Sequence, residues 1–139
     1  MPDLDRFLTA QENTHPAAMA ELRRGRKRSH WMWWTFPQLA SLGRSPTAKA
    51  YGLRDLEEAR AYLAHPVLGA RLVDAARLML AHRGTPADAV LGGIDAIKLR
   101  SCATLFAAVP GAPPEFRDLL DAFHDGEPDP LTTAELARG

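Results

Sequence analysis

The densest chemistry in the chain lies between Gly25 and Gln38. There Arg26, Lys27 and Arg28 run into His30 and all three tryptophans, Trp31, Trp33 and Trp34. Cations beside aromatic rings hold phosphates and stack flat bases, so the stretch suits a small anionic or nucleotide-like molecule. In that reading Lys27 and Arg28 meet the ligand's charge, Trp31 or Trp33 stacks on its ring, and His30 or Gln38 orients it. Tryptophans in a small helical domain are first of all packing groups, however, each contributing on the order of a few kcal/mol through burial. Arginines near a helix C-terminus also complement its dipole. The structural reading of the stretch therefore carries the greater weight.

A second polar group lies in Lys98-Leu99-Arg100-Ser101-Cys102-Ala103-Thr104. Lys98, Ser101 and Cys102 share a helical face at i, i+3 and i+4, and Lys98 and Ser101 could complete a pocket beside the aromatic segment. The alternative, which we favour on sequence, has Ser101 and Thr104 bonding back to helix carbonyls while Lys98 reaches water. Cys102, set in an apolar helix, is expected to be a buried, inert thiol. The five histidines are isolated from one another, so no metal site is expected. His15 and His65 precede prolines and are placed at helix starts. Gly92-Gly93 is a turn, not a phosphate loop, and no cofactor is implied.

These residues need elements to position them, and the apolar periodicity is helical almost throughout. Leu4, Phe7 and Leu8 follow Asp3, a candidate N-cap, and a second helix is expected from Pro16 to Gly25. A short aromatic helix follows over His30–Leu39. Ser45-Pro46 opens another, and Asp55 with Glu58 forms a variant capping box. Further helices begin at His65-Pro66, at Thr85-Pro86, at Asp95 as a cap, at Pro113-Pro114 and at Thr132 or Thr133. Ile97, Leu99, Ala103, Leu105 and Phe106 are read as apolar mass in the segment after Asp95. The expected fold class is all-α: one compact domain, residues 1–139, built as a bundle or array of about seven to nine short helices.

Composition sets the outer bounds. The chain has 139 residues, enough for one core, and 46% apolar with 24% charged residues argues against disorder. Seventeen basic residues balance seventeen acidic ones, so nothing favours wholesale attraction to nucleic acid or membranes. One cysteine fits a reducing cytoplasm. The N-terminus lacks the pattern of a signal peptide, and no apolar run approaches the ~20 residues of a membrane span. A cytoplasmic location is expected, with no membrane partner.

Several stretches together resemble a bacterial family designated domain of unknown function family 1810. They are Gly25-Arg26-Lys27-Arg28-Ser29-His30-Trp31-Met32-Trp33-Trp34-Thr35-Phe36-Pro37-Gln38, then Ser45-Pro46 with Tyr51-Gly52, and Glu58-Ala59-Arg60-Ala61-Tyr62-Leu63 with His65-Pro66-Val67-Leu68-Gly69. The likeness continues through Lys98–Phe106 and Leu120–Phe123 and covers nearly the whole chain. The resemblance implies a single-domain, all-helical fold and supplies no activity, cofactor or catalytic residue. Some members carry the label calpastatin. A long, disordered repeat inhibitor does not match a short apolar chain punctuated like a packed bundle, so the label is not adopted.

Three functions follow from the residues. The leading one is a cytoplasmic binding module for a small anionic or nucleotide-like ligand, through Lys27, Arg28, His30, Trp31, Trp33, Gln38, Lys98 and Ser101. The second is a hydrolase or transferase acting on a nucleotide-sugar with His30 as general acid or base. No nucleophile, metal set or orienting carboxylate accompanies His30, so no catalytic residue is assigned. The third is a protein-interaction or nucleic-acid-binding domain using the basic stretch 23–30; the neutral total charge counts against nucleic acid.

Overall fold

Gly25 is where the first long helix ends. It adopts φ 76°, a left-handed conformation that spares a glycine the Cβ clash, and its N–H closes on the Glu21 and Leu22 carbonyls. A computed structural model describes residues 3–138 of the chain. Its helices are α1 (Asp5–Arg24), α2 (Met32–Thr35), α3 (Pro46–Ala50), α4 (Leu56–Ala64), α5 (Leu68–Leu80), α6 (Ala87–Leu91), α7 (Gly93–Ala107), α8 (Glu115–Phe123) and α9 (Pro130–Arg138). A 3-10 turn, Ala40–Leu42, lies between α2 and α3. The all-helical class and the helix count agree with the sequence expectation. Among the described residues the only strand-like pairing is an isolated bridge between Leu39 and Leu53.

The core is organised around α7. Leu99, Cys102, Ala103, Leu105 and Phe106 are buried on it, with Ser101 and Thr104 buried as well, so its second half is enclosed nearly all round. It packs against α4, α6, α8 and α9, while α5 packs against α1, α4 and α8. Tyr62 stands at the centre, edge-on to Phe7 at 5.1 Å and tilted against Phe106 at 5.6 Å. Its hydroxyl donates to the Trp34 carbonyl at 3.1 Å. The buried Gln11 side chain donates to both, tying the end of α2 to α1 and α4.

Several local expectations are corrected. Residues 5–24 form one helix, not two: Pro16 lies inside α1 at an exposed position, where the missing N–H leaves a carbonyl that water can satisfy. His15 is accordingly mid-helix, whereas His65 does serve a helix start, its Nδ1 accepting from the Val67 and Leu68 amides. Asp95 does not cap α7, which begins at Gly93; it is the third residue of the first turn. The cap of α9 is Asp129, whose Oδ2 accepts from the Thr132 amide and hydroxyl. The Asp55 carboxylate accepts from the Glu58 amide as expected. The return bond goes one residue upstream, however, from the Arg54 amide to Glu58 Oε1, which also takes the Arg6 guanidinium.

Candidate functional site

Glu21 decides how the basic stretch is laid out. It is buried in the last turns of α1, and its carboxylate accepts from the Arg28 amide at 2.7 Å, the Ser29 amide at 2.9 Å and the Ser29 hydroxyl at 2.5 Å. Trp31 Nε1 donates to it at 3.0 Å. Burial alone would push this carboxyl up, but the hydrogen bonds from Ser29, Arg28 and Trp31 outweigh it and hold the pKa at about 2. Wrapping residues 25–31 around one carboxylate sends alternate side chains in opposite directions. Arg26, Arg28 and His30 are exposed, while Lys27 turns inward.

The inward Lys27 meets α7. Its amide donates to the Val90 carbonyl at 2.8 Å, and its ammonium pairs with Asp95 Oδ2 at 3.0 Å. Lys98, one helical turn further along α7, pairs with the other oxygen of the same carboxylate at 3.1 Å. The Lys98 ammonium also stands 3.7 Å from the centroid of the Trp33 indole, a close cation–π contact. The expectation that Lys98 simply reaches water is therefore corrected. Only 9% of the Lys27 side chain, 15% of Asp95 and 18% of Lys98 remain accessible. Two sheltered ammonium groups thus share one carboxylate.

Beside them lies a cavity of about 360 Å³. Trp33 and Gln38 form one wall, and Gly43, Arg44 and Ser45 ahead of α3 form another. The α7 face contributes Ile94, Ile97, Lys98 and Ser101, and Asp129 and Leu131 at the start of α9 close the remaining side. Gln38 is held there by the bridge behind it, the Leu53 amide donating to its carbonyl at 2.8 Å. Ser101 donates back to the Ile97 carbonyl at 3.3 Å and Thr104 to Arg100 at 2.8 Å, as the structural reading of that strip expected.

Of the residues singled out in the sequence, Trp33, Gln38, Lys98 and Ser101 line this cavity. Lys27 lies behind it through Asp95. Trp31 does not line it: it is 1% exposed, packed near Phe36 and spent on Glu21, so it has no face to offer a ligand. Arg28 and His30 are exposed on the outer side of the loop and do not line it either. Trp34 is a packing group, bonded to Thr14 and edge-on to Tyr51 at 4.9 Å. Cys102 is fully buried, and burial pushes its thiol pKa well up. Sequence reasoning missed Arg44, Ile94 and Leu131, and placed Ile97 in the core although it is 64% exposed. The available signal was the spacing: Ile94, Ile97, Lys98 and Ser101 fall on the side of α7 opposite Leu99, Ala103 and Phe106.

A larger groove, about 600 Å³, runs between Arg54, Asp55 and Glu57 on one side and Glu135, Leu136 and Arg138 on the other. Its charges are paired within each side, Arg54 with Asp55 and Arg138 with Glu135, and it holds none of the aromatic or sheltered cationic groups. The smaller cavity is the one with chemistry. No helix among the described residues is long and apolar enough to cross a membrane.

The sequence profile of the family described as "Protein of unknown function (DUF1810)" matches residues 1–136, and the chain belongs to that family. The crystal structure of the conserved hypothetical protein Rv1873 from Mycobacterium tuberculosis is similar at 45% identity, with a TM-score of 0.95. The likeness covers 97% of this chain and 96% of that one. No curated protein matches the chain.

Proposed function

We propose that this chain is a binding module for a small organic anion, nucleotide-like ligands included, taken up in the cavity between Trp33 and Lys98. The observation that carries the proposal is the sharing of Asp95 by Lys27 and Lys98 at 3.0 and 3.1 Å. Sheltered ammonium groups are ordinarily matched by counter-charges. The lining itself carries two cations, Lys98 and the exposed Arg44, and one carboxylate, Asp129, with Lys27 behind it on Asp95. A monovalent anion beside Lys98 restores the balance, and low local polarity strengthens that attraction.

The flat face of Trp33 supplies the second half of the reading. Lys98 already covers one side of the indole, so an aromatic ring stacks there only when the ammonium swings toward the ligand's charge. Gln38 and Ser45 add hydrogen-bonding groups of either polarity on the facing walls. The enzyme reading built on His30 draws no support from this geometry, because His30 does not line the cavity and no side chain among the described residues orients it.

The test is a thermal-shift and calorimetric screen against nucleotides, nucleotide-sugars and simple organic anions. A ligand at a hundred times its Kd stabilises the fold by about 2.7 kcal/mol, a shift of several degrees for a chain of this size. The effect should weaken most in Lys98→Met and less in Trp33→Ala and Arg44→Ser, and should survive Arg28→Ala and His30→Gln. Binding that persists undiminished in Lys98→Met would overturn the proposal, as would silence across the panel.

A further inference from the structure

We infer that the anion taken by this cavity carries an aliphatic arm, so that the ligand class is an amphiphilic anion: a carboxylate or phosphate ester bearing an alkyl or branched chain. The inference rests on the reading of the Trp33–Lys98 cavity as an anion site and narrows it. Among the described residues, the large hydrophobic side chains left most exposed are Ile94 at 74%, Leu131 at 66% and Ile97 at 64%. They come from two different helices, yet all three border this one cavity. Isolated exposed hydrophobics need no explanation; three gathered on one opening are a surface waiting to be covered.

The arrangement along α7 separates the two ends of such a ligand. Ile94 and Ile97 stand at i and i+3, with Lys98 and Ser101 each four residues further on, so the aliphatic pair and the polar pair occupy adjoining turns of one face. Isoleucine is also a poor choice for an exposed helical position, being stiff at χ1 and a weaker helix former than the unbranched residues. Leu131 borders the same cavity from the first turn of α9, which is tied to α7 by Thr104 accepting from the Asp129 amide at 2.8 Å. A volume of about 360 Å³ falls at the lower end of the range for small-molecule sites and leaves little room for a segment of another chain. The charge excess around Lys98 selects an anionic head, and the three aliphatic side chains cover the rest.

The experiment is calorimetric titration of the intact protein with the straight-chain carboxylates from butanoate to decanoate and with the matching alkyl phosphates, all below their micelle concentrations. The expected result is an affinity that rises up to about fourfold per added methylene until the aliphatic surface is covered, since each buried methylene is favourable by transfer from water. The double variant Ile94→Asn/Ile97→Asn should keep its fold, both side chains being exposed, and should flatten that dependence while leaving the shortest anions unaffected. Lys98→Met should weaken every member by a common factor and keep the slope. Lys98-dependent binding with no chain-length dependence would overturn the aliphatic arm and leave the anion site standing. No binding by any member, nor by any nucleotide, would overturn both. A concentration-dependent dimer that Ile97→Asn disperses would assign the exposed side chains to self-association and overturn the inference.

Discussion

Trp31 donates its indole N–H to Glu21 at 3.0 Å, and neither residue is more than 5% exposed. That pair, with the Arg28 and Ser29 amides on the same carboxylate, sets the course of residues 28–31 past the end of α1. Lys27, just upstream, is sheltered against α7 while its arginine neighbours stand in water.

The pair also fixes an acid limit on stability. Glu21 is held at about 2 in the folded chain against 4.5 when unfolded, so its stabilising contribution is complete above 4.5 and is lost as pH falls from 4.5 toward 2. His15 and His124 act earlier: burial lowers both, so protonation of the unfolded chain begins to erode stability below their ordinary 6.5. Denaturant melts as a function of pH should show a decline through the window between 4.5 and 2 in the wild type. In Glu21→Gln that part of the decline should be absent and stability at neutral pH lower, by about 2–3 kcal/mol for lost charge-assisted hydrogen bonds. An unchanged acid limb would show that Glu21 does not govern the loop.

Asp95→Asn separates fold from ligand. The carboxamide keeps the size of the side chain but leaves Lys27 and Lys98 without their common counter-charge. We expect a loss of about 1–3 kcal/mol in stability, moderated by the partial exposure of all three groups. Anion affinity should move the other way, rising about tenfold because the cavity gains a net positive charge. Parallel melts and titrations check both; a variant weaker in both properties would show that Asp95 serves as a positioning group for Lys98 and not as its competitor for the anion.

The exposed Arg26 and Arg28 offer a direct test of the nucleic-acid alternative. Arg26→Ala/Arg28→Ala should change stability by no more than about 0.5 kcal/mol and leave the binding of small anions intact. Single-stranded RNA and DNA should show at most weak binding that collapses with salt. Tight binding that the double variant abolishes would move the function to the outer face of the loop.

Much of the helical framework was legible because glycine and proline mark its breaks: Gly25, Gly92 and Gly126 all follow helix ends, and Ser45-Pro46 opens α3 with the serine hydroxyl accepting from Ala48. Pro16 broke the rule because its lost hydrogen bond faces water, which residue type alone does not reveal. The cavity was half legible. Trp33, Gln38, Lys98 and Ser101 were identifiable as polar or aromatic groups at useful spacings. Trp31 could not be told from Trp33, because the difference lies in Glu21, ten residues upstream and across a turn. Ile94, Ile97 and Leu131 look like core residues by type. Spacing alone sets Ile94 and Ile97 opposite Leu99 and Ala103, but their meeting Leu131 at one cavity depends on how α7 and α9 pack, tied by the Thr104–Asp129 contact across 25 positions.

Cys102 provides a probe of the core that costs the protein nothing. Its sulfur is fully buried on α7, and burial pushes the thiol pKa well above its usual value. Only the thiolate alkylates at a useful rate. Iodoacetamide labelling at neutral pH should be at least a hundredfold slower in the native protein than in denaturant, and its rate should follow opening of the fold. Rapid native labelling would contradict the enclosed packing of α7.

Gly52 links the fold to the cavity. An added Cβ there would lie 2.7 Å from the Ala40 nitrogen and closer still to its Cα, and backbone cannot yield as a flexible side-chain tip can. Those atoms belong to the bridge in which Ala40 donates to the Leu53 carbonyl at 2.7 Å and Leu53 donates to Gln38 at 2.8 Å. Gly52→Ala should therefore lower stability by about 3 kcal/mol, roughly 10 °C in Tm. Because Gln38 is carried by the displaced segment, anion affinity should fall in the same variant at temperatures where it remains folded. Gln38→Ala should reproduce the affinity loss without the stability loss. If Gly52→Ala melts early yet binds with unaltered affinity, the bridge holds the fold and Gln38 takes no part in the site.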